Sequence, residues 1–256
     1  MSRLDATALA LTILADCGMV TGEEPAFPTK LEWGEIVTTP TAVELHVASM
    51  PHDRFIRMPR FNNPYKRIYL KSDKRKTPLE FRPEVTEWLI KLPKAAATPE
   101  IVVIDTVGAP QLLTQPFVTR VSSKGVVILP AHHAIIHGKL LRFEPQPHKN
   151  TVGYWANEKD WCQWQIEVDD PGEYEVHILQ GCGEGHGGSE VQISIGKSAL
   201  TFVVEDTGHF QNFKERNVGK LKITTAGRNS LKVVPVSKAK GAVMDVRQIE
   251  LILADR

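Results

Sequence analysis

The segment 160-DWCQWQIEVDDPGEYEVHI-178 contains two runs in which every second residue is apolar. Such alternation is what a β-strand with one buried face requires. The turn residues Asp170-Pro171-Gly172 separate the runs and favour a hairpin of two core strands. The side chains expected on the buried face are Cys162, Trp164, Ile166 and Val168 in the first run, and Tyr174, Val176 and Ile178 in the second.

The alternating pattern continues through most of the chain after residue 29. Segments such as 42-AVELHVAS-49 and 101-IVVIDT-106 repeat it, whereas helical periodicity is nearly absent. Turn signals such as Asn62-Asn63-Pro64 recur at short intervals, which is typical of antiparallel sandwiches rather than of β-α units. A length of 256 residues fits two domains of ordinary size. We therefore predict an all-β protein with two antiparallel β-sandwich domains in tandem.

Breaks in the pattern divide the chain into four parts. Residues 1–29 are predicted to be a signal or leader segment with its linker, and residues 30–108 the first sandwich. Residues 109–125 contain two prolines and a Ser-Ser-Lys-Gly turn, which predicts a linker. The second sandwich is predicted over residues 126–256, beginning with the apolar run 126-VVIL-129.

The N-terminal segment bears on the compartment. The run 6-ATALALTILADCG-18 has the size of a signal-peptide core and is too short to span a bilayer as a helix. Asp5 and Asp16 argue against export, since Asp16 stands where a cleavage site needs small neutral residues. We expect a secreted or periplasmic protein, with a cytoplasmic one as the alternative.

The chain has three cysteines, and their state depends on the compartment. If Cys17 leaves with a cleaved leader, Cys162 and Cys182 are the candidates for a disulfide, because the predicted hairpin would bring them within reach. In a reducing cytosol both would be small core residues.

Charge excludes one large class of partner. Lys and Arg number 31 and Asp and Glu number 30, so no overall field would hold a polyanion. We therefore expect no nucleic-acid partner. No segment approaches transmembrane length, and we expect no membrane partner either.

The first predicted domain carries an ordered set of motifs. These are 31-LEWGEIVTTPTAVELHVASMP-51, Met58-Pro59, a strand with Ile68, Tyr69 and Leu70, 88-WLIKLP-93 and 99-PEIVVIDTVG-108. In this order they resemble the β-sandwich that follows the catalytic barrel in family 29 α-L-fucosidases. The resemblance implies a supporting domain that packs against a barrel, and hence a catalytic glycosidase as partner.

The resemblance also bears on catalysis. A family 29 enzyme uses a carboxylate nucleophile and a carboxylic acid on a (β/α)₈ barrel of about 250 residues. Only 29 residues precede Lys30, which is too few for such a barrel. We therefore predict that this chain is not an enzyme and contains no catalytic residue.

Six landmarks follow one another in the second predicted domain: 151-TVGYWANEKDWCQWQIEV-168, 171-PGEYEVHI-178, 188-GSEVQISIG-196, 207-TGHFQNF-213, 225-TAGRNSLKVVP-235 and 242-AVMDVRQIEL-251. In this order they resemble galactose-binding-like jelly rolls, among them the carbohydrate-binding modules of families 6 and 35. The resemblance implies a jelly roll and a glycan ligand, with fucose- or galactose-containing glycans as the candidates.

The resemblance places a ligand at the rim formed by 153-GYW-155, 184-EGHGG-188 and 209-HFQNF-213. A sugar needs an aromatic ring against its C–H face and directed polar partners for its hydroxyls, and these segments supply both. We predict weak binding of a neutral sugar. Phe210 has a second interpretation, in which it closes the hydrophobic core. The predicted binding residues are Tyr154, Trp155, Trp161, Glu184, His209, Phe210 and Asn212.

Two departures from the family pattern concern polar ligands. Val243 stands where family 6 modules commonly carry a sugar-binding Asn, two residues before an acidic position that Asp245 matches. The segment 131-AHHA-134 lacks the acidic residue that a structural calcium would take from the first strand. We expect no cofactor; Asp245 is a weak candidate for a calcium ligand, and calcium is not favoured.

Two functions are compatible with these observations. The first is a non-catalytic carbohydrate-binding or accessory protein related to the C-terminal region of α-L-fucosidases. The second is purely structural: packing or interaction domains, or a truncated relic of a fucosidase, with no ligand. The aromatic residues of the predicted rim favour the first.

Overall fold

The computed structural model describes residues 27–112, 116–122 and 124–254, and nearly every regular element in these ranges is a β-strand. The exception is one turn of 3₁₀-helix, Ala131–His133. No helix in these ranges has the length and apolar character needed to cross a membrane. The all-β prediction is confirmed. Residues 1–26 of the predicted leader, which include Cys17, lie outside the described residues.

The first sandwich packs a five-stranded antiparallel sheet against a three-stranded one. The larger sheet contains, in spatial order, β1 (Lys30–Leu31), β2 (Gly34–Thr38), β3 (Ala42–Val47), β8 (Glu100–Thr106) and β5 (Tyr65–Leu70). The smaller sheet contains β4 (Phe55–Pro59), β7 (Glu87–Lys91) and β6 (Glu80–Pro83). Alternation sets the core: Val43, Leu45 and Val47 of β3 are buried in one cluster with Trp88 of β7.

The second sandwich consists of two six-stranded sheets. The front sheet contains, in spatial order, β12 (Arg142–Glu144), β13 (Thr151–Gly153), β20 (Asp245–Leu253), β15 (Gly172–Cys182) and β18 (His209–Ile223), with β10 (Val126–Pro130) also paired to β20. The back sheet contains β11 (Ile135–His137), β14 (Trp161–Val168), β19 (Gly227–Ser237), β16 (Glu190–Ile195) and β17 (Ser198–Val203), with β9 (Val118–Arg120) paired in parallel to β14.

The alternating segment 160–178 forms two core strands, β14 and β15. All seven side chains predicted on the buried face are fully buried, and Trp164 lies in the core as predicted. The predicted hairpin is wrong, because β14 pairs within the back sheet and β15 within the front sheet. The turn between them crosses from one sheet to the other. Alternation identifies the buried face of a strand, and strands of either sheet of a sandwich satisfy it equally.

The predicted linker, residues 109–125, is partly built into the second sandwich. Its strand β9 pairs with residues 165–167 of β14, so the second sandwich begins before residue 126. The strand expected at 131-AHHA-134 is also wrong, since Ala131–His133 forms the 3₁₀ turn. A short parallel pairing carries no turn signal, and this explains why the pattern of prolines and glycines did not indicate it.

The two sandwiches contact each other directly. Their buried apolar residues form one continuous cluster. The half-buried Arg60 donates hydrogen bonds from its guanidinium to the carbonyl oxygens of His132 and Ala134 at 3.4 and 3.1 Å. Arg142 of β12 pairs with Glu84 of the first sandwich, with 3.3 Å between Nη1 and Oε2. Strand β12 of the front sheet therefore contacts the first sandwich.

Candidate functional site

A pocket of about 380 Å³ opens at one end of the front sheet. It lies where the ends of β12, β13, β18 and β20 meet the loops 183–189 and 238–244. The lining residues are Glu144, Lys149, Tyr154, Trp155, Ala156, His186, Phe210, Gln211, Gly241, Ala242 and Asp245.

A larger groove of about 660 Å³ lies on the first sandwich. Its lining includes the apolar residues Trp33 and Phe55 and the charged Arg57. Arg57 pairs with Asp53 at 2.6 Å between Nη2 and Oδ2, and both side chains are about half exposed. Exposed ion pairs are solvated and give little directed recognition. We therefore place the candidate site in the smaller pocket, where polar groups are buried.

Tyr154 and Trp155 have opposite environments at the end of β13. The backbone of Tyr154 has φ +58°, a left-handed conformation that is uncommon for a bulky residue. Tyr154 is 53% exposed, and the guanidinium carbon of Arg142 lies 3.9 Å from its ring centroid. Trp155 is fully buried and donates its indole N–H to the carbonyl oxygen of Asp160 at 2.8 Å. Trp155 is thus a core residue, and its predicted position as an accessible stacking ring is wrong.

Phe210 forms another wall of the pocket. Residues 209–213 are the first residues of the edge strand β18, so the predicted rim loop is wrong at this place. The pairing with β15 is irregular here, and such bulges redirect side chains. The half-buried Phe210 ring packs on Gly183, where a Cβ atom would come within 2.5 Å of it, and lies 5.4 Å from the His186 ring. Phe210 therefore both lines the pocket and covers the chain at the end of β15.

Two buried carboxyl groups form the inner part of the pocket. Glu144 of β12 and Asp245 of β20 are each 4% exposed. Both lie beside Gly153 of β13: a Cβ atom there would be 2.9 Å from Glu144 Oε2 and 2.8 Å from Asp245 Oδ1. A larger residue at position 153 would displace them. The absence of a side chain on Gly153 therefore allows the two groups to approach each other.

One cation balances these two carboxyl groups. Lys149 Nζ lies 2.7 Å from Glu144 Oε1. Asp245 has no ion-pair partner among the described residues, and it accepts a hydrogen bond from Gln211 Nε2 at 3.5 Å. Burial and the neighbouring charge of Glu144 raise the pKa of Asp245 to about 8. At neutral pH Asp245 is therefore mostly a protonated acid, which both donates and accepts hydrogen bonds.

Arg247 of β20 holds the segment that carries Lys149. Its guanidinium donates to the carbonyl oxygens of His148 and Lys149 at 2.9 and 2.7 Å. The guanidinium carbon also lies 3.8 Å from the Phe213 ring centroid. These contacts fix the position of the one lysine in the pocket.

The remaining predicted binding residues lie outside the pocket lining. Trp161 is on the outer face of the back sheet, where its ring stacks on His137 with centroids 3.8 Å apart. Glu184, His209 and Asn212 are exposed and do not line the pocket. The structure thus brings two of the seven predicted residues together as accessible aromatic walls: Tyr154 and Phe210.

Sequence reasoning missed two charged lining residues, Glu144 and Lys149, and it included His186 only as part of the rim segment 184–188. Each is a single polar residue in a polar segment, and isolated charged residues are surface residues by default. The pairing of Glu144 with Asp245 depends on β12, β13 and β20 lying side by side. No local pattern encodes that arrangement.

The expected polar ligands are also placed differently. Val243 is fully buried, and the amide in the pocket belongs to Gln211. Asp245 was expected to lack a carboxylate neighbour, and Glu144 supplies one from β12. In the part of the chain that the structure describes, no group of three or more His, Cys, Asp or Glu side chains is arranged to hold a metal ion.

The candidate disulfide is not formed. Cys162 and Cys182 are buried free thiols. Cys162 lies on β14 of the back sheet and Cys182 at the end of β15 of the front sheet. Burial raises the pKa of both thiols, that of Cys182 to about 11. The predicted pairing depended on a hairpin of β14 and β15, and that hairpin does not form.

The second sandwich matches a family model described as a domain of unknown function, DUF5077, over residues 144–254. The matched region begins at Glu144 and includes Asp245. No curated protein matches the chain.

Several solved structures are similar to the chain. An α-L-fucosidase from Vibrio sp. strain EJY3 is 16% identical with a TM-score of 0.35, and the match covers 87% of this chain and 40% of the fucosidase. A family 35 carbohydrate-binding module from Clostridium thermocellum is 18% identical with a TM-score of 0.40, covering 50% of this chain and 98% of the module. The C-terminal CBM6 of a laminarinase from Zobellia galactanivorans is 16% identical with a TM-score of 0.40, again covering 50% and 98%.

Both kinds of protein that the sequence resembles are thus among the similar structures. The chain spans about two fifths of the fucosidase it matches. At TM-scores below 0.5 these likenesses carry no conclusion about function, and the relationship to family 29 fucosidases stays a proposal.

Proposed function

We propose that the second sandwich binds a sugar in this pocket and that the chain is a non-catalytic carbohydrate-binding or accessory protein. One observation carries the proposal: Tyr154 and Phe210 line the same pocket as Lys149, Gln211 and the buried Asp245. A pyranose has C–H faces and hydroxyl edges, and its recognition needs both kinds of partner.

Tyr154 is the proposed stacking residue. Arg142 lies against its ring at 3.9 Å, and the residue is 53% exposed, so ring surface is accessible to a ligand. Its left-handed backbone supports the proposal, because such strain persists where the surrounding structure imposes it and is frequent at ligand sites.

Buried polar groups supply the directed contacts in this proposal. Protonated Asp245 donates to one hydroxyl oxygen and accepts from another, and the Gln211 amide does the same. Lys149 retains N–H donors beyond its bond to Glu144. Because the pocket is small and open to solvent, most hydroxyls of an oligosaccharide stay in water. A stacking contact contributes only about 1 kcal/mol beyond its buried area, so the affinity is modest.

We assign Glu144 and Asp245 to binding rather than to catalysis. In a glycoside hydrolase the two carboxyl groups flank the scissile bond. Here both lie within 3 Å of one Cβ position, that of Gly153, and Lys149 is bonded to Glu144.

We further propose that the protein is exported, that the first sandwich is a supporting domain, and that a catalytic glycosidase is its partner. The export rests on the apolar run in residues 6–18, and the other two proposals rest on the resemblance to family 29 enzymes.

The test is a glycan array probed with the full chain, including fucose- and galactose-terminated glycans, followed by titration calorimetry. Tyr154→Ala is expected to lower the affinity about tenfold without changing the unfolding temperature. The matched control is Trp161→Ala, which removes an aromatic side chain from the outer face of the back sheet and leaves the affinity unchanged. The proposal fails if no glycan binds, or if the two variants lose affinity equally.

A further inference from the structure

The charges in the pocket bear on the class of sugar. Glu144 and Lys149 neutralise each other across 2.7 Å. Asp245 is 4% exposed and lines the same pocket. Among the described residues, its side chain accepts one hydrogen bond, from the Gln211 amide at 3.5 Å. An ionised carboxylate that is buried without a cation is costly. The pocket therefore has one carboxyl group more than it has cations.

Neighbouring elements do not supply the second cation. Arg247 lies two residues along β20 and its charge lowers the pKa of Asp245, but its guanidinium donates to backbone carbonyl oxygens and covers Phe213. His186 enters from the loop 183–189 without an ion pair, and Cys182 at the end of β15 is a buried thiol. Among the described residues, none of these groups forms an ion pair with Asp245.

We propose that the pocket selects a pyranose that carries a protonated amino group, with Asp245 as the carboxylate that binds the ammonium. This inference rests on the proposed sugar site and departs from the neutral sugar predicted from the sequence. An ammonium group brings the missing positive charge and three hydrogen-bond donors, and charge-assisted bonds are about twice as strong as neutral ones. The rings of Tyr154 and Phe210 meet the apolar surface of the sugar.

Binding of such a sugar is coupled to the release of one proton. Burial and Glu144 hold the pKa of Asp245 at about 8, so about a tenth of the groups are ionised at pH 7. The ammonium binds the ionised form, the proton of Asp245 passes to the buffer, and the ligand keeps its own charge. Below the pKa the ionised fraction rises about tenfold per pH unit. The affinity for an amino sugar is therefore expected to rise about tenfold from pH 5 to pH 6, a range in which the amine of the sugar stays largely protonated.

The test compares β-1,4-linked oligomers of glucosamine, N-acetylglucosamine and glucose, which differ at C2 alone. The full chain is titrated calorimetrically at pH 5 and 6 in two buffers with different ionisation enthalpies. We expect the glucosamine oligomer to bind most tightly, with release of close to one proton at pH 5, and the neutral oligomers to release none. A linear diamine is expected to bind more weakly, since it offers no ring face to Tyr154.

Variants separate the carboxylate from the rest of the pocket. Asp245→Asn is expected to abolish the preference for the amine and the proton release, so that the glucosamine oligomer no longer binds more tightly than the N-acetylglucosamine oligomer. Glu250→Gln, on the same strand outside the pocket lining, is the matched control and changes neither.

Four outcomes overturn the inference. Binding of neutral oligomers without preference for the amine, or amine binding without proton release, overturns it and leaves the proposed sugar site standing. A diamine that binds as tightly as the amino sugar also overturns it. Absence of binding by every oligomer overturns it as well, and the proposed function falls with it only if the glycan array is also negative.

Discussion

The two sandwiches bury apolar cores of the same kind but place carboxyl groups differently. In the first, Asp53 lies at the surface and pairs with Arg57 at 2.6 Å, with both side chains about half exposed. In the second, Glu144 and Asp245 are each 4% exposed and share a pocket with one cation, Lys149.

This difference supports the proposed division into a supporting domain and a binding domain. An exposed ion pair contributes little to stability, and its charges are solvated in any case. A buried carboxyl group without a cation lowers stability, and perturbed titratable groups of this kind cluster at functional sites. The comparison therefore favours the second sandwich for the proposed ligand site. Four experiments test this comparison.

The largest effect is expected where the sandwiches are alike, in their cores. Trp88 of the first and Trp164 of the second are both fully buried. Trp88→Ala and Trp164→Ala should each lower the free energy of unfolding by about 3–5 kcal/mol, because each leaves a large cavity. Denaturant unfolding measures both losses. A loss below about 1 kcal/mol for either variant would show that the two cores are not equivalent.

The next effect concerns the two contrasting aspartates. Asp245 keeps its proton up to about pH 8 in the folded state, whereas in the unfolded chain it loses it near pH 4. Its contribution to stability therefore falls by about 1.4 kcal/mol per pH unit as the pH rises from about 5 to 7. An Asn at position 245 does not titrate, so Asp245→Asn is free of this loss. The free energy of unfolding of the variant, relative to that of the native chain, should therefore rise from pH 5 to pH 7.

Asp53 gives the matched control for that measurement. Its pKa is lowered to about 2, chiefly by the hydrogen bond from Arg57, so its contribution is present above about pH 4 and is lost as the pH falls towards 2. The difference in stability between Asp53→Asn and the native chain should be constant from pH 5 to 7. If the stability difference from the native chain changed equally with pH for Asp245→Asn and Asp53→Asn, the contrast between the buried and the exposed aspartate would be contradicted.

A smaller effect tests a contact between the first sandwich and the residues beside the pocket. Glu84 pairs with Arg142, which in turn lies against the Tyr154 ring. Glu84→Gln weakens this partly exposed pair and should lower sugar affinity by about two- to threefold with unchanged stability. Calorimetry checks it beside Glu80→Gln, which alters surface ion pairs of the same sandwich and should have no effect on affinity.

The smallest expected effect is none: the purified chain should not hydrolyse an aryl α-L-fucoside. Glu144 and Asp245 are the carboxyl groups that could act as a catalytic pair in the pocket, and we assign both to binding. Turnover that accompanies the folded protein through purification and disappears in Glu144→Gln would contradict the assignment.

Much of the fold was predictable because strand alternation is local. The buried faces of β14 and β15 were predicted residue by residue, and every one of those side chains is buried.

The site was less predictable because orientation at strand ends is not periodic. Tyr154 and Trp155 are adjacent aromatic residues, and the sequence predicted the same role for both. The left-handed backbone at Tyr154 leaves its ring exposed while Trp155 enters the core. Similarly, the irregular pairing of β18 with β15 places Phe210 in the pocket, and alternation cannot encode such an irregularity.

The sequence by itself determined the fold class and the buried face of the main strands, because burial of every second side chain depends on neighbouring residues alone. The tertiary structure decided which strands pair and which distant side chains meet. It separated Cys162 from Cys182 by placing their strands in opposite sheets, and it brought Glu144 beside Asp245 across Gly153. Both results follow from sheet order, which arises from contacts between residues far apart in the chain and leaves no local trace in their pattern.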